Sequence, residues 1–243
     1  MSAAGLPIRV NALVPAAGQG QRAGYGMGDK LYQHLMDRPV LAHTLGRLQD
    51  SEFIEEIVLV VRSEDRERCR DEVLKPFALT KVTGILSGGA TRQESVYLGL
   101  RFMGRSGDCV AVHDGARPLV SPELIARVVG AGLESGAAVP GIPVKDTLKQ
   151  VSGTKVAGSV DRAGLVQVQT PQVFWRELIW MAHRRAREEG TMATDDAGLV
   201  ERTRHPVLVV TGEEENIKLT TAFDFLVARA ILDQRARGAR SPG

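Results

Sequence analysis

Arg22 and Lys30 stand in a stretch that also holds Gly18, Gly20, Gly24, Gly26 and Gly28, directly after an apolar run over residues 10–14. Glycines let backbone N–H groups crowd onto a phosphate because no Cβ intervenes, and Lys and Arg add full charges to those partial ones. Two other turns offer related chemistry. Ser87-Gly88-Gly89-Ala90-Thr91-Arg92 is a second glycine turn that opens a helical pattern, and helix N-termini favour anions or polar ligand atoms. The turn His113-Asp114-Gly115-Ala116-Arg117-Pro118 ends another apolar run, where an Asp can meet a cation or a hydroxyl and Arg117 can take phosphate or diol oxygens. Together these residue types point to the handling of phosphorylated molecules.

Three phosphate loops compete for residues 13–30. A Walker loop needs Gly directly before Lys and Ser or Thr after it; Asp29 precedes Lys30 and Leu31 follows, which excludes it. A dinucleotide fingerprint is formally met by Gly18-Gln19-Gly20-Gln21-Arg22-Ala23. The next apolar run, 57–61, ends on Arg62 where a ribose-binding acid is expected, although an Arg suits a 2′-phosphate and keeps an NADP reading open. The third candidate is the loop of nucleotidyltransferases. Pro15-Ala16-Ala17-Gly18-Gln19-Gly20-Gln21-Arg22, then Lys30, then Pro39-Val40-Leu41-Ala42-His43-Thr44-Leu45, resemble the start of the 2-C-methyl-D-erythritol 4-phosphate cytidylyltransferase family. The sequence VAVHDGARP at 110–118 fits that family's signature and separates it from the wider nucleotidyltransferase set. Gly88-Gly89 with Arg92 and Ser95, Thr170-Pro171-Gln172, Thr194-Asp195-Asp196 and Asn216-Ile217-Lys218-Leu219-Thr220 resemble further family motifs, so the likeness spans about residues 10–232.

The resemblance implies transfer of CMP from CTP to 2-C-methyl-D-erythritol 4-phosphate. The products would be 4-diphosphocytidyl-2-C-methyl-D-erythritol and pyrophosphate, in a step of non-mevalonate isoprenoid synthesis that uses Mg²⁺ or another divalent cation. On that likeness Arg22, Lys30 and Lys218 are catalytic. Pro15, Ala16, Ala17, Gly18, Gly20, Gly89, Ser95, Asp114 and Gly115 would hold CTP. The second substrate would meet Asp114, Arg117, Thr147, Arg162, Thr170 and Thr194, with Thr147 and Arg162 delivered from a neighbouring subunit. Asp114 is the candidate metal ligand, the ion being held mainly through CTP phosphates. Two rivals stay open: a ribitol-5-phosphate cytidylyltransferase, and a nucleotide-binding regulator without turnover. One departure stands out. The family usually has Pro before the loop Lys, whereas this chain has Asp29 and a glycine-richer loop, which is expected to be poorly ordered without nucleotide.

To bring these turns together, several strands must end along one rim. Residues 10–14, 57–61, 81–86, 108–112, 137–143 and 207–210 read as strands, alternating with helical patterns at 39–49, 66–77, 92–103, 121–133, 174–189 and 222–237. That alternation predicts an α/β, Rossmann-like nucleotidyltransferase fold: a mostly parallel twisted sheet with helices on both faces. Residues 1–243 are read as one domain, interrupted at 144–169 by short polar-interleaved strands that suggest a projecting β-arm. Exposed strand edges call for a cover, and a homodimer that swaps arms supplies one.

The chain is 43% hydrophobic and 25% charged, with 31 basic and 29 acidic side chains and a net charge of +2. That balance argues against a nucleic-acid partner bound through a broad basic face. Cys69 and Cys109 are too few for a disulfide framework and lack metal-site spacing. No apolar run approaches the roughly 20 residues that cross a membrane, and a cytoplasmic setting is expected.

Overall fold

Continuous apolar runs are buried on both faces of a parallel sheet, and the runs beginning at Val10, Ile54 and Cys109 become its centre. The computed structural model describes residues 9–18 and 30–240. Gly20, Arg22, Asp29 and the expected disorder of their loop lie outside the described residues, as does the tail at 241–243.

In chain order the elements are β1 (Val10–Pro15), the short β2 (His34–Leu35) and β3 (Arg38–Pro39), α1 (Val40–Gln49), β4 (Ile54–Val61), α2 (Arg66–Arg68) and β5 (Val82–Ser87). There follow α3 (Arg92–Met103), β6 (Cys109–Val112), α4 (Pro122–Ser135), β7 (Ala137–Pro143), β8 (Leu148–Ser152), β9 (Lys155–Val160) and β10 (Val166–Val168). The last are β11 (Gln172–Trp175), α5 (Arg176–Glu188), α6 (Asp196–Glu201), β12 (Leu208–Thr211) and α7 (Ala222–Arg240).

The main sheet runs β7, β11, β6, β1, β4, β5, with β12 on the outer edge of β7. Pairs β1/β4, β1/β6, β4/β5 and β7/β12 are parallel; β11 is antiparallel to both its neighbours. Strand residues divide by parity between two cores. Ala12, Val14, Ile57, Leu59 and Ala111 face α1 and α4, while Leu13, Val58, Val60, Val110 and Val112 face α3, α5 and α6. Helices therefore cover both faces, as expected. On the second face, α3 approaches β1 at Gly99, where an added Cβ would lie 2.3 Å from Leu13 Cδ1. Full burial of a Leu such as Leu13 contributes about 1.5–3 kcal/mol, which is how the sheet and its helices hold.

Three expectations need correction. The helix read over 174–189 begins only at Arg176, because Gln172–Trp175 is a strand whose Val173 and Phe174 fill opposite cores between β6 and β7. The helix read over 66–77 winds as a regular α-helix only to Arg68, then as a π-turn over Cys69–Leu74 closed by Lys75 N–H to Arg70 O at 3.0 Å. That wider turn buries Cys69 and Val73 together and stops before Pro76, whose missing N–H could not continue it. Within 144–169, only β8 and β9 form the separate hairpin; β10 returns to pair antiparallel with β7.

Candidate active site

Strand order reverses at β1, with β4 and β5 to one side and β6 to the other, and open α/β sheets bind ligands at such a switch point. Three turns meet there. Pro15 ends β1, and Ala16 N–H continues the ladder to Val60 O at 2.7 Å, which carries Ala17 and Gly18 onto the rim. Gly88 lies so near that a Cβ on it would stand 2.3 Å from Ala17 Cβ, so only glycine lets these two turns press together. Beyond it, Thr91 caps α3 by accepting Glu94 N–H, while Glu94 accepts Ala90 N–H. Ser95 is buried, and its hydroxyl accepts from Gly89 N–H and donates to Thr91 O.

The third turn holds the centre of charge. Asp114, 8% exposed, follows β6 and accepts Arg92 Nε at 3.2 Å on Oδ1 and Lys218 Nζ at 2.7 Å on Oδ2. Arg117 Nε stands 3.9 Å from the same Oδ2. Burial alone would raise the Asp114 carboxyl, but Arg92, Lys218 and Arg117 outweigh it and hold the group well below the carboxylate range. Arg92 also donates to Asp196 Oδ2 at 2.8 Å, and the two acids raise the guanidinium despite its burial. Burial lowers Lys30, helped by Lys218 and opposed by Asp114 and Asp224, so Lys30 belongs to the same field. Four cations, Arg92, Arg117, Lys218 and Lys30, thus face three carboxylates, Asp114, Asp196 and Asp224, an excess suited to anions.

Thr170 Oγ1 accepts Asp114 N–H at 3.0 Å and lies 3.0 Å from His113 Nδ1. His113 Nε2 faces Arg117 O at 3.1 Å, and a carbonyl only accepts; Nε2 therefore carries the ring hydrogen and Nδ1 accepts from the Thr170 hydroxyl. Burial pushes this imidazole down to about 4, which keeps it neutral at neutral pH. The 216–220 segment docks on the same turn, through Leu219 N–H to Ala116 O at 2.8 Å and Arg117 Nη1 to Asn216 O at 2.6 Å. Asn216 Nδ2 in turn donates to Thr170 O at 2.9 Å, so a buried amide ties the Lys218 loop to the Asp114 turn. Gly115 O accepts the Thr44 hydroxyl at 2.9 Å, fixing the turn to α1.

The fold therefore brings together Pro15, Ala16, Ala17, Gly18, Lys30, Gly89, Ser95, Asp114, Gly115, Arg117, Thr170 and Lys218. Thr194 is exposed two residues before Asp196. Thr147 and Arg162 are exposed on the arm, where Arg162 bonds Lys145 O in its own chain. Asp114 does not fit a protein-held metal: both its oxygens carry cations, and no group of three His, Cys, Asp or Glu suited to a metal occurs among the described residues. Neither do the acids after Thr194, since Asp195 caps α6 and accepts from Gln172, and Asp196 is buried against Arg92. Asn216 and Gln172 stand inside matched motifs but have no role in the sequence reading, because their partners, Thr170 O and Asp195, lie 46 and 23 residues away.

Comparison with known proteins is consistent along the chain. The family model described as 2-C-methyl-D-erythritol 4-phosphate cytidylyltransferase matches residues 10–234. The chain is 43% identical over 225 residues to the protein of that name from Syntrophus aciditrophicus, covering 92% of this chain and 96% of the relative. The corresponding protein from Geobacillus kaustophilus is 42% identical over 228 residues, covering 94% and 99%. Among solved structures, 2-C-methyl-D-erythritol 4-phosphate cytidylyltransferase from Thermus thermophilus superposes with a TM-score of 0.76 at 37% identity, over 93% of this chain and 100% of that one. The 4-diphosphocytidyl-2C-methyl-D-erythritolsynthase from Anaerococcus prevotii gives 0.79 at 30% identity, over 93% and 96%.

Proposed function

The chain belongs to the 2-C-methyl-D-erythritol 4-phosphate cytidylyltransferase family and is a cytidylyltransferase, and we propose that the rim around Asp114 carries the family's reaction. CMP passes from CTP to 2-C-methyl-D-erythritol 4-phosphate, giving 4-diphosphocytidyl-2-C-methyl-D-erythritol and pyrophosphate, and isoprenoid precursor synthesis follows from that product. The observation that carries the site assignment is the convergence on one buried carboxylate of Arg92 and Lys218 from two other segments, beside Arg117 of its own turn.

A phosphate monoester is already anionic at neutral pH, so the acceptor needs no general base. Its oxygen attacks the α-phosphorus of CTP, the bond to the bridging oxygen of the β-phosphate breaks, and pyrophosphate leaves with that electron pair. What must be overcome is repulsion between two phosphorylated molecules. Lys30 and Lys218, joined by Arg22 and the loop N–H groups, offset it and stabilise charge growing at the α-phosphorus. The turns at Ala16–Gly18 and Gly88–Ser95 face the cytidine side; Asp114, Arg117, Thr170 and Thr194 face the acceptor side. A divalent cation, on this reading, enters on the CTP phosphates rather than on a protein cage. Thr147 and Arg162 reach the site of a second copy in an arm-swapped homodimer, and the enzyme works in the cytoplasm.

Incubation with methylerythritol phosphate and each of four nucleoside triphosphates should give a product mass for CTP alone. Lys218→Ala should cut that turnover by roughly a hundredfold. Equal use of all four nucleotides would overturn the substrate assignment, and full activity in the variant would overturn the role of Lys218.

A further inference from the structure

His183 is buried on α5, 1% exposed, and nothing in the sequence around it marks a role beyond packing. Its Nε2 lies 2.9 Å from Asp196 Oδ1, and because that oxygen belongs to a carboxylate the ring nitrogen is the donor. The other oxygen, Oδ2, takes Arg92 Nη1 at 2.8 Å. Arg92 then donates Nε to Asp114 Oδ1, and Asp114 Oδ2 receives Lys218 Nζ. A continuous line of hydrogen bonds thus runs from a core imidazole to the rim ammonium.

We propose that His183 is a positioning residue for the transfer reaction: by occupying Oδ1 of Asp196 it leaves Arg92 one oxygen there and its Nε for Asp114. The argument is a competition. Asp196 is 1% exposed, and a buried carboxylate needs partners on both oxygens. Arg is built to grip both oxygens of a carboxylate at once. Without the imidazole donor, Asp196 recruits Arg92 with both oxygens, the guanidinium turns away from Asp114, and the Asp114 carboxylate is free to rotate with Lys218. Lys218 is 41% exposed at its side chain, so little besides Asp114 fixes it. This inference rests on the reading of Lys218 as a phosphate-binding group.

The test is a set of variants read by steady-state kinetics, with circular dichroism and Tm as folding controls. His183→Leu removes the donor and keeps an apolar volume; His183→Gln returns an N–H at about the position of Nε2. Expected are a fall in kcat of roughly tenfold for His183→Leu with KM for CTP within about twofold, and recovery to within about threefold for His183→Gln. In a Lys218→Ala background the His183→Leu loss should vanish, because a group acting through Lys218 has nothing left to position. A purely structural histidine would instead give the same fractional loss in both backgrounds, and that result overturns the proposal, as does an undiminished kcat in folded His183→Leu. If His183→Leu does not fold, His183→Met removes the same donor with a longer, more adaptable apolar side chain. It should show the same kcat loss and the same dependence on Lys218; independence from Lys218 overturns the proposal. Full activity in Lys218→Ala alone would remove the reading on which the inference rests. Impairment of Lys218→Ala beside unimpaired His183→Leu would remove the inference and leave that reading intact.

Discussion

The rim of the sheet and the arm keep their charged residues in opposite ways. On the rim Asp114 is 8% exposed and meets Arg92 and Lys218 within hydrogen-bond distance, so each buried charge has a counter-charge from the same chain. On the arm Thr147 and Arg162 are exposed, and Val151 and Val156 point apolar side chains outward at 68% and 64% exposure. One region is completed by buried ion pairs of its own fold; the other leaves its polar and apolar side chains largely in solvent.

The hardest blow to that contrast falls on its buried half. Asp114→Asn leaves Arg92, Arg117 and Lys218 facing one another across a neutral amide. It should lower kcat/KM by on the order of a thousandfold and cost about 3–5 kcal/mol in denaturant unfolding. Lost activity at unchanged stability would mean that the carboxylate does not organise the cluster. A smaller effect tests the exposed half. Arg162→Ala should lower kcat/KM by roughly tenfold or more, and mixing it with inactive Lys218→Ala subunits should restore part of the activity through hybrid dimers. No recovery despite proven subunit exchange would return Arg162 to its own chain's site and erase the contrast.

A third effect is one of pH, in which His113 on the rim acts together with His43 on α1, also lowered by burial. His113 is held at about 4 against an ordinary 6.5. A depressed value means that the unfolded chain binds the proton first, so stability falls as pH drops from about 6.5 to about 4, by about 3 kcal/mol in all. Asp114 and Asp196 are also depressed, and their contribution is present above about pH 4 and lost below it. Unfolding midpoints between pH 7 and 4 should slope in the wild type and slope less steeply in His113→Gln. An unchanged slope would assign the acid sensitivity elsewhere.

Much of this was readable from the sequence because the determinants are local. Apolar runs named the parallel strands, Thr91 and Ser121 stand as N-caps where their types require, and each phosphate-type turn follows a strand. What stayed hidden was decided across the chain. Gln172–Trp175 continues into the amphipathic pattern of α5, and only pairing with β6 and β7 makes it a strand. Arg92 carried a motif match, yet nothing within a window around it announces Asp196, 104 residues away. Thr170 reads as a substrate contact, and nothing near it in sequence announces that its hydroxyl also spans Asp114 N–H and His113.

The close seating of α3 on β1 has a practical side. Replacing a helical glycine by alanine ordinarily stabilises by about 1 kcal/mol, and Gly46 in α1 and Gly130 in α4, with nothing within 4 Å of an added Cβ, invite that engineering. At Gly99 the same methyl would lie 2.3 Å from Cδ1 of the fully buried Leu13, so that side chain or α3 itself must shift to admit it. A thermostabilised variant of this enzyme can be sought at the first two positions, whereas at the third the gain in helix propensity is set against a packing clash.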